Sequence, residues 1–434
     1  MKIPRFIRDN IVLKITSLNA VVITVRLVIS GFTQWLLSTT FGETGIARIG
    51  QVRNIMGMLT SISSLGIFNG IVKYVAEHKN NKAELNKLFS TTTVFVLIGS
   101  FISGTVLFFG SGYFSEILFK SDDFKYVFKI IAFIVPFIAL NRVLYGIVNG
   151  LSEYKNYARI EMISYLLAAI LLVIALYKAN LEFAILAIAI APVIQLGVIV
   201  VVFGKVLKQF VDFKKLRLGL DYKNSLLAFT LMSFVSTFLL NYIELSIISL
   251  IEDKININEA GYWTAVSFIS KNYMVFASGL FTLYVIPKFA NIYTKEEFKN
   301  EVVNIYKTIL PIFGLGMILV YLLRNVIIDI IYPDFKGMEP LFKWQLLGDF
   351  TRLCSLILAH QFLAKRMVKS FVITEIISLI LFYVLTNLFI NYFSTEGVVI
   401  AHLVRYIIYF IIVLLVVKKY FSKNNISEYK NEDM

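Results

Sequence analysis

Long apolar runs, separated by short charged segments, constrain this chain more than any other feature. Twelve runs can be placed, at about 15–39, 46–72, 88–110, 130–149, 157–177, 183–204, 224–250, 261–287, 308–323, 344–364, 370–391 and 397–417. A helix that spans a bilayer needs about 20 apolar residues, which is close to the length of most of these runs. Stretches such as LLAAILLVIAL (166–176) do not alternate in polarity, which favours helices over a transmembrane barrel. The sequence therefore predicts an all-α polytopic membrane protein with about 12 transmembrane helices.

Composition and motifs exclude most other classes of protein. Hydrophobic residues make up 58% of the 434 positions and charged residues 16%, whereas ordinary globular domains hold about 25% charged residues. The three histidines and the single cysteine, Cys354, are too scattered for metal-ligand spacing, so neither a metal nor another cofactor is predicted. No GxxxxGK[ST] phosphate loop, G-x-S-x-G elbow or HExxH motif occurs, which excludes a pump driven by ATP hydrolysis.

Lysine and arginine are distributed unevenly between the two sides of this topology. If the N-terminus is cytoplasmic, the cytoplasmic segments hold 27 of the 42 Lys+Arg, and the opposite side holds 10 when Arg48 and Arg53 are counted there. The positive-inside rule then predicts that both termini are cytoplasmic. The same asymmetry explains the formal net charge of +14 without a nucleic-acid partner.

The most basic connection of the chain lies at its midpoint and suggests a division into halves. The predicted parts are an N-terminal six-helix bundle at 1–204, a basic cytoplasmic linker at 205–223, a C-terminal six-helix bundle at 224–417 and a cytoplasmic tail at 418–434. A weak repeat supports the division: at an offset of 214, Lys155, Glu161 and Ser164 match Lys369, Glu375 and Ser378. Because six spans per repeat is an even number, the halves would have the same orientation and would enclose a central cavity.

Ionisable side chains inside the predicted spans are costly and usually face the interior of a bundle. Five cations and four acids lie in the spans: Arg26, Arg142, Lys271, Arg352, Arg405, Glu161, Glu244, Asp349 and Glu375. Asp349 and Arg352 are three residues apart on one helical face, so structural pairing is the simpler interpretation for them. Glu244, Asp349, Arg352 and Arg405 are interpreted as charge partners or coupling residues.

Arg26 differs from these residues because no acid lies within four positions on either side. Its depth is near mid-membrane, from where a long side chain cannot easily reach water. Lys271, flanked by Ser270 and Asn272, also lacks a local acid. Two interpretations stay open: an acid on another helix, such as Glu244, neutralises one of these cations, or the cations line a cavity that binds an anionic cargo.

The segment FGETGIARIGQVRNIMGMLTSISSLGIFNGIVKYVAE (41–77) carries a family resemblance. Its Gly-Ile turn after the first span and its GIFNGIVKYVAE ending resemble the N-terminal signature of Wzx-type polysaccharide flippases. These are the O-antigen and lipid III flippases of the MOP exporter superfamily. The match at the level of motifs covers only 41–77, whereas length, span number and the six-plus-six division fit essentially the whole chain.

The resemblance implies two bundles that alternate between inward-open and outward-open states in the bacterial inner membrane. The implied cargo is an undecaprenyl-diphosphate-linked oligosaccharide, with membrane lipid as the surroundings and a monovalent cation or proton gradient as a candidate driving force. Arginine offers forked donors for phosphate oxygens, and lysine a point charge. Arg26 and Lys271, from opposite halves, are therefore the first candidates for binding the diphosphate or glycan, and Arg53 and Arg142 are the second.

Two other functions are weighed against this one. Multidrug exporters of the same superfamily usually carry cationic drugs, which embedded acids would bind, but here the embedded cations outnumber the acids. An integral-membrane glycan polymerase or ligase also handles lipid-diphosphate glycans. Such enzymes generally need a large periplasmic loop, and the longest external connections, 111–129 and 324–343, are modest.

Overall fold

The computed structural model describes residues 11–177, 180–211 and 217–432, and every regular element in these ranges is helical. The predicted all-α fold is thereby confirmed. The helices as far as the basic linker are α1 (Ile11–Ser63), α2 (Phe68–His78), α3 (Lys82–Phe109), α4 (Ser111–Phe119), α5 (Lys125–Gly150), α6 (Tyr154–Leu176) and α7 (Leu181–Phe210). Those after it are α8 (Lys223–Ser233), α9 (Leu240–Lys254), α10 (Ile257–Leu280), α11 (Ile286–Ala290), α12 (Lys295–Leu322), α13 (Arg324–Ile331), α14 (Leu341–Ala364), α15 (Val368–Phe393) and α16 (Glu396–Glu432).

Two π-helical segments continue helices of the second half. Phe234–Leu239 joins α8 to α9, and Phe281–Val285 joins α10 to α11. Shorter 3₁₀ turns lie at Asp122–Phe124, just before α5, and at Lys336–Met338, between α13 and α14.

The first two predicted spans share one long helix that is broken twice. Gly42 in α1 has φ 60° and ψ −160°, a conformation that is open essentially only to glycine, and it lies in the predicted connection between the spans. A second break follows Ser63, where Leu65 and Gly66 both have positive φ. The helices on either side of this second break, Thr24–Ser63 and Phe68–His78, meet at 46°.

All twelve predicted runs lie on helices, although not all of these helices are apolar throughout. In the described part of the chain, eight helices are long and apolar enough to cross a membrane, and the bent pair at the N-terminus would add a ninth. The other two predicted spans, 261–287 and 344–364, correspond to α10–α11 and to α14. Charged residues such as Lys271 and Asp349 lower the mean hydropathy of these two helices.

The chain forms two compact units. The first comprises Met1–Phe41 and Arg48–Leu245, and the second comprises Gly42–Ala47 and Ser246–Met434. The boundary therefore lies in α9, after the basic linker 205–223, of which 212–216 lie outside the described residues. The division into membrane bundles at 1–204 and 224–417 stays a prediction.

The end of the linker packs on α3, which keeps the following helix in the first unit. The backbone N–H of Tyr222 donates to the Thr91 hydroxyl at 3.2 Å, and the Tyr222 hydroxyl donates to Oε2 of Glu84 at 2.8 Å. Burial, and after it the bond to Glu84, raises the pKa of Tyr222, so the phenol remains a hydrogen-bond donor at physiological pH.

Glycines let α8 and its continuation approach α1 and α2 within the first unit. A Cβ atom on Gly66 would lie 2.5 Å from Cβ of Ser233, and one on Gly70 would lie 2.7 Å from a methyl carbon of Leu226. Larger residues would hold the helices apart, since interiors of this density leave no room for added atoms. The GIFNG segment therefore provides both a helix break and a close helix contact.

Candidate functional site

Three of the predicted site arginines lie near one another in the first unit, although they come from distant parts of the sequence. Arg26 and Arg53 lie on α1, on either side of the break at Gly42, and Arg142 lies on α5. Two tyrosines of α6 lie among them. The charges of Arg26 and Arg142 act on the Tyr157 hydroxyl, and those of Arg26 and Arg53 act on the Tyr165 hydroxyl.

Arg26 and Arg142 contact aromatic rings rather than acids. The guanidinium carbon of Arg26 lies 4.8 Å from the ring centre of Tyr165, and that of Arg142 lies 3.8 Å from the ring centre of Phe68. Among the described residues, no carboxylate lies within ion-pair distance of either arginine, and no ion pair joins Arg26 to Glu244. A cation–π contact compensates a buried charge less than an ion pair does, so both cations remain able to bind an anion.

Arg53 is positioned by a buried amide. Its Nη1 donates to Oε1 of Gln34 at 3.2 Å, which joins the two parts of α1 across the Gly42 break. Nε2 of Gln34 is buried, and no hydrogen-bond acceptor reaches it in the part of the chain that the structure describes. Such a donor is costly unless a ligand or water accepts from it.

Glu161 supplies the negative charge of this region. It lies on α6, and its Oε1 accepts from the Tyr145 hydroxyl of α5 and, at 3.3 Å, from Nε2 of Gln195 on α7. Asn141 in turn donates to Oε1 of Gln195 at 2.7 Å, so the carboxylate has a fixed position. We call this set of side chains the arginine cluster: Arg26, Arg53, Arg142, Tyr145, Tyr157, Glu161, Tyr165 and Gln195. The cluster therefore contains three guanidinium groups and one carboxylate.

The remaining first-rank candidate lies in the other unit. Lys271 is on α10 in the second unit, and its side chain is exposed. It is not part of the arginine cluster. Glu244 lies on α9 in the first unit and is half-buried.

A second group of buried polar side chains surrounds Asp349 in the second unit. Asp349 is fully buried on α14, and its Oδ1 accepts from Nε2 of His402 on α16 at 3.1 Å. Its Oδ2 accepts from three donors: the Ser270 hydroxyl at 2.6 Å, the Tyr273 hydroxyl, and Nε2 of Gln345 at 3.2 Å. Four donors on one carboxylate stabilise its ionised form. We call this set the aspartate cluster: Ser270, Tyr273, Gln345, Asp349 and His402.

Two arginines border the aspartate cluster. Arg352, one turn after Asp349 on α14, acts on the carboxylate through its charge. Arg405 is buried on α16, and it donates from Nε to the Ser378 hydroxyl at 2.8 Å and from Nη2 to the Tyr406 hydroxyl at 3.2 Å. The sequence pattern identifies Asp349, Arg352 and Arg405, and the structure adds His402 as a hydrogen-bond partner of the acid.

The two units use one arrangement at matched positions. Gln195 donates to Glu161 in the first unit, and Tyr409 donates to Oε1 of Glu375 at 2.5 Å in the second. Donor and acid are 34 residues apart in both pairs. The offset of 214 that relates Glu161 to Glu375 also relates Gln195 to Tyr409. This agreement strengthens the case for an internal duplication.

Sequence reasoning identified Glu161 but missed the tyrosines beside it. Tyr157 and Tyr165 lie four residues before and after Glu161, so the three side chains share one helical face, and that periodicity could have identified the tyrosines. The role of His402 left no comparable signal, because its partner Asp349 is 53 residues away in the sequence.

Comparison with known proteins assigns the fold and the family. The model of a family described as "Polysaccharide biosynthesis protein" matches residues 12–293, about two thirds of the chain. Proteins named lipid III flippase from Escherichia coli (strain K12) and from Shigella flexneri are each 25% identical to this chain over 377 residues, which is 86% of this chain and 90% of theirs.

Solved structures of transporters share the fold. The chain is similar to a multidrug resistance MATE family transporter of the MOP superfamily in its inward-facing conformation, with a TM-score of 0.76 and 13% identity over 93% of this chain and 99% of that one. It is also similar to the lipid II flippase MurJ in an inward closed conformation, with a TM-score of 0.71 and 16% identity over 94% of this chain and 89% of that one. These likenesses and the apolar helices identify a multi-pass membrane protein. The resemblance drawn from residues 41–77 is confirmed, and the chain belongs to the polysaccharide biosynthesis protein family.

Proposed function

We propose that this protein is a flippase that moves an undecaprenyl-diphosphate-linked oligosaccharide, of O-antigen or lipid III type, across the bacterial inner membrane. The family match and the relatives named lipid III flippase support this function. They do not favour a glycan polymerase or ligase, and we propose a transporter rather than an enzyme. The two halves of the chain alternate between states that are open to either side of the membrane, and both termini are cytoplasmic.

The observation that carries the proposal is the positive charge that Arg26 and Arg142 bring to the arginine cluster. Each phosphate of a diphosphate diester carries one negative charge, so the charge of the cargo matches that of these two arginines. Arg26 and Arg142 have no carboxylate partner among the described residues, and their planar forks fit phosphate oxygens. A cationic drug would meet repulsion here, which argues against the multidrug alternative.

The surrounding polar groups suit the rest of the head group. The buried Nε2 of Gln34 and the hydroxyls of Tyr157 and Tyr165 offer donors next to the cations, and aromatic faces also suit the apolar faces of sugar rings. We propose Arg26, Arg53 and Arg142 as ligands of the diphosphate, and Lys271 as a contribution from the second half in one of the transport states.

A gradient must drive this cycle, because the sequence carries no ATP-binding motif. We propose coupling to a monovalent cation or proton gradient.

The direct test is reconstitution of the full chain in vesicles that contain an undecaprenyl-diphosphate-linked oligosaccharide with a labelled sugar. We expect the label to become accessible to an impermeant glycosidase on the far side. Elongation of the glycan without its movement across the membrane would contradict a flippase and support a polymerase. Export of a cationic dye without movement of the glycan would support a drug exporter instead.

The proposed orientation makes a labelling prediction. A cysteine introduced at Asn80, between α2 and α3, should stay unreactive toward an impermeant reagent outside intact cells, and one at Asp122 should react. Both positions are exposed in the structure, so access to the aqueous side decides the result. Reaction of Asn80→Cys with the reagent outside the cells would show that the orientation is the opposite of the proposed one.

The charge match makes a second prediction at Glu161. Glu161→Gln keeps an acceptor for Tyr145 and Gln195 but raises the excess charge of the cluster by one. We expect a polyprenyl diphosphate to bind about tenfold more tightly at low salt and to be released more slowly, since one more unit charge lies within several ångströms of the anion. Equilibrium binding and the transport rate measure the two effects.

Glu182→Gln is the matched control for Glu161→Gln. Glu182 lies in the same unit, outside the arginine cluster, and it also accepts a hydrogen bond from a tyrosine hydroxyl, that of Tyr126. This substitution should change neither quantity. Equal effects of the two substitutions would contradict a role of cluster charge in binding.

A further inference from the structure

We propose that the Asp349–His402 pair of the second unit is a proton-binding site, and that protonation of His402 couples a proton gradient to transport. The coupling role rests on the proposed function, whereas proton binding at His402 does not depend on it.

The first argument is the location of the pair inside predicted membrane spans, where a charged group is energetically unfavourable. Asp349 is 0% exposed and His402 is 7% exposed, and both lie on helices that correspond to predicted spans. Ionisable groups buried in a membrane protein are retained mainly where they serve ion movement or are fully neutralised. The donors Ser270, Tyr273 and Gln345 satisfy the carboxylate, so the imidazole is the group of the pair that is left to change its charge.

The charges around the imidazole are balanced only when it is neutral. The titratable and charged groups that face His402 are Asp349 and Arg352 from α14, Arg405 and Tyr406 from α16, and Tyr273 from α10. From α15 come the Phe382 ring, 5.7 Å from the imidazole, and Ser378, which accepts from Arg405. Glu375 lies one turn before Ser378. Two arginines against Asp349 and Glu375 give no net charge, so a proton on His402 changes the charge of the whole region by one.

The ligand types favour a proton over a metal ion. Sodium and other hard cations prefer cages of oxygen ligands, whereas here two of the four groups that contact the carboxylate, the imidazole of His402 and the amide N–H₂ of Gln345, are nitrogen donors. In the described ranges, no group of three or more His, Cys, Asp or Glu side chains could hold a metal ion. A proton needs only one basic nitrogen.

The binding step is a simple proton transfer. In the neutral ring the hydrogen on Nε2 is donated to Oδ1 of Asp349, and the other ring nitrogen can accept a proton from water on one side of the membrane. The product is an imidazolium paired with the carboxylate. Return of that proton to water on the opposite side completes the cycle without any oxidation or reduction.

The close approach of α14 and α16 fixes the position of the ring. A Cβ atom on Gly348, the residue before Asp349, would overlap with Cδ2 of His402. Only glycine therefore leaves space for the imidazole at this height. Gly348→Ala displaces the ring without removing any titratable group. This variant therefore tests the position of the His402 ring separately from its ability to bind a proton.

Proton binding can be measured on the full chain in lipid nanodiscs with ¹³C-labelled histidine. The chain has three histidines, and the signal that is lost in His402→Gln identifies His402. We expect that signal to titrate between about pH 5 and pH 8, the range in which histidine normally changes its charge. The midpoint should move to lower pH in Asp349→Asn, because the carboxylate no longer stabilises the imidazolium, and it should also shift in Gly348→Ala. A signal that stays constant over this range would overturn the site.

Coupling is measured in vesicles that hold the labelled lipid-linked oligosaccharide, with and without a pH gradient. We expect the gradient to accelerate the wild-type protein at least tenfold, and we expect His402→Gln to lose that dependence. His360→Gln is the control, since this histidine, on the α14 helix that also carries Asp349, donates to the carbonyl of Leu356 at 2.5 Å and contacts no carboxylate of the described residues. It should keep the gradient dependence.

The two measurements separate the possible failures. Titration of His402 in a protein that moves no oligosaccharide at any pH would overturn the proposed function and leave the proton site standing. Movement that depends on the gradient equally in wild type and in His402→Gln would overturn the coupling role and leave the flippase function standing. If His402→Gln does not fold, Gly348→Ala, which keeps the imidazole, decides the coupling question: gradient dependence unchanged despite a shifted midpoint would overturn it.

Discussion

Replacing Arg26 with alanine should reduce transport of the lipid-linked oligosaccharide at least tenfold while the protein accumulates normally. Arg26 lies in the arginine cluster, and no carboxylate depends on it for compensation among the described residues. Loss of a desolvated charge pair with the cargo costs about 2–5 kcal/mol, which is the origin of the expected effect. Arg26→Lys should restore transport only in part, because the charge is kept and the planar fork is lost. Transport in reconstituted vesicles and the protein level in membranes are the two measurements.

Arg159→Ala is a suitable control for this experiment, because Arg159 is an exposed residue of α6, on the helix that carries Tyr157 and Tyr165. It should leave transport unchanged. The competing interpretation is that Arg26 neutralises Glu244 in another state of the cycle. Transport restored to the wild-type level by combining Arg26→Ala with Glu244→Ala would refute cargo binding and would leave Arg26 as an ion-pair partner.

Gly261→Ala should strongly destabilise the second unit. A Cβ atom at this position on α10 would overlap with the backbone carbonyl of Glu43, and a backbone cannot move aside as the end of a side chain can. The contact also includes hydrogen bonds from Tyr262 to Oε1 of Glu43 at 3.4 Å and from Thr44 to Oδ1 of Asn258 at 3.2 Å. Overpacking of this kind costs about 1–3 kcal/mol. Thermal unfolding of the purified protein in detergent measures the loss.

Gly316→Ala is the matched control for Gly261→Ala. Gly316 is also inside a helix, α12, but an added Cβ meets nothing within 4 Å. Alanine has the higher helix propensity, so this variant should be as stable as the wild type or slightly more stable. Equal melting temperatures of the two variants would contradict the close backbone contact at Gly261.

The positions of the helices could be predicted from the sequence, but only one of the two breaks near the N-terminus could. Apolar runs of about 20 residues have few alternatives in a bilayer, so every predicted run lies on a helix. The break at Gly42 was placed correctly because a polar connection surrounds it. The break at Leu65 and Gly66 was not, since it falls inside a predicted span and depends on the contact of Gly66 with Ser233, far along the chain.

The candidate sites were predictable only as single residues. Embedded cations such as Arg26 and Arg142 can be identified from their apolar surroundings, because a charge in such a stretch is rare. Their convergence is a property of tertiary packing, which joins α1, α5 and α6. The same limit applies to His402: residue spacing excludes a metal site, but it cannot show that Asp349 lies 3.1 Å from the ring.

The π-helical segment Phe234–Leu239 determines which side chains the following helix directs inward. A π turn contains one extra residue relative to an α turn, and here the Thr237 carbonyl accepts from the backbone N–H of Leu240 and, at 2.7 Å, from Nδ2 of Asn241. Asn241 fills the space that Gly57 leaves open. If the segment became regular α-helix and kept all of its residues, every later residue would rotate by about 100° around the helix axis. Asn241 and Glu244 would then leave their present positions together. The number of residues in this segment, and not only its composition, is therefore under structural constraint.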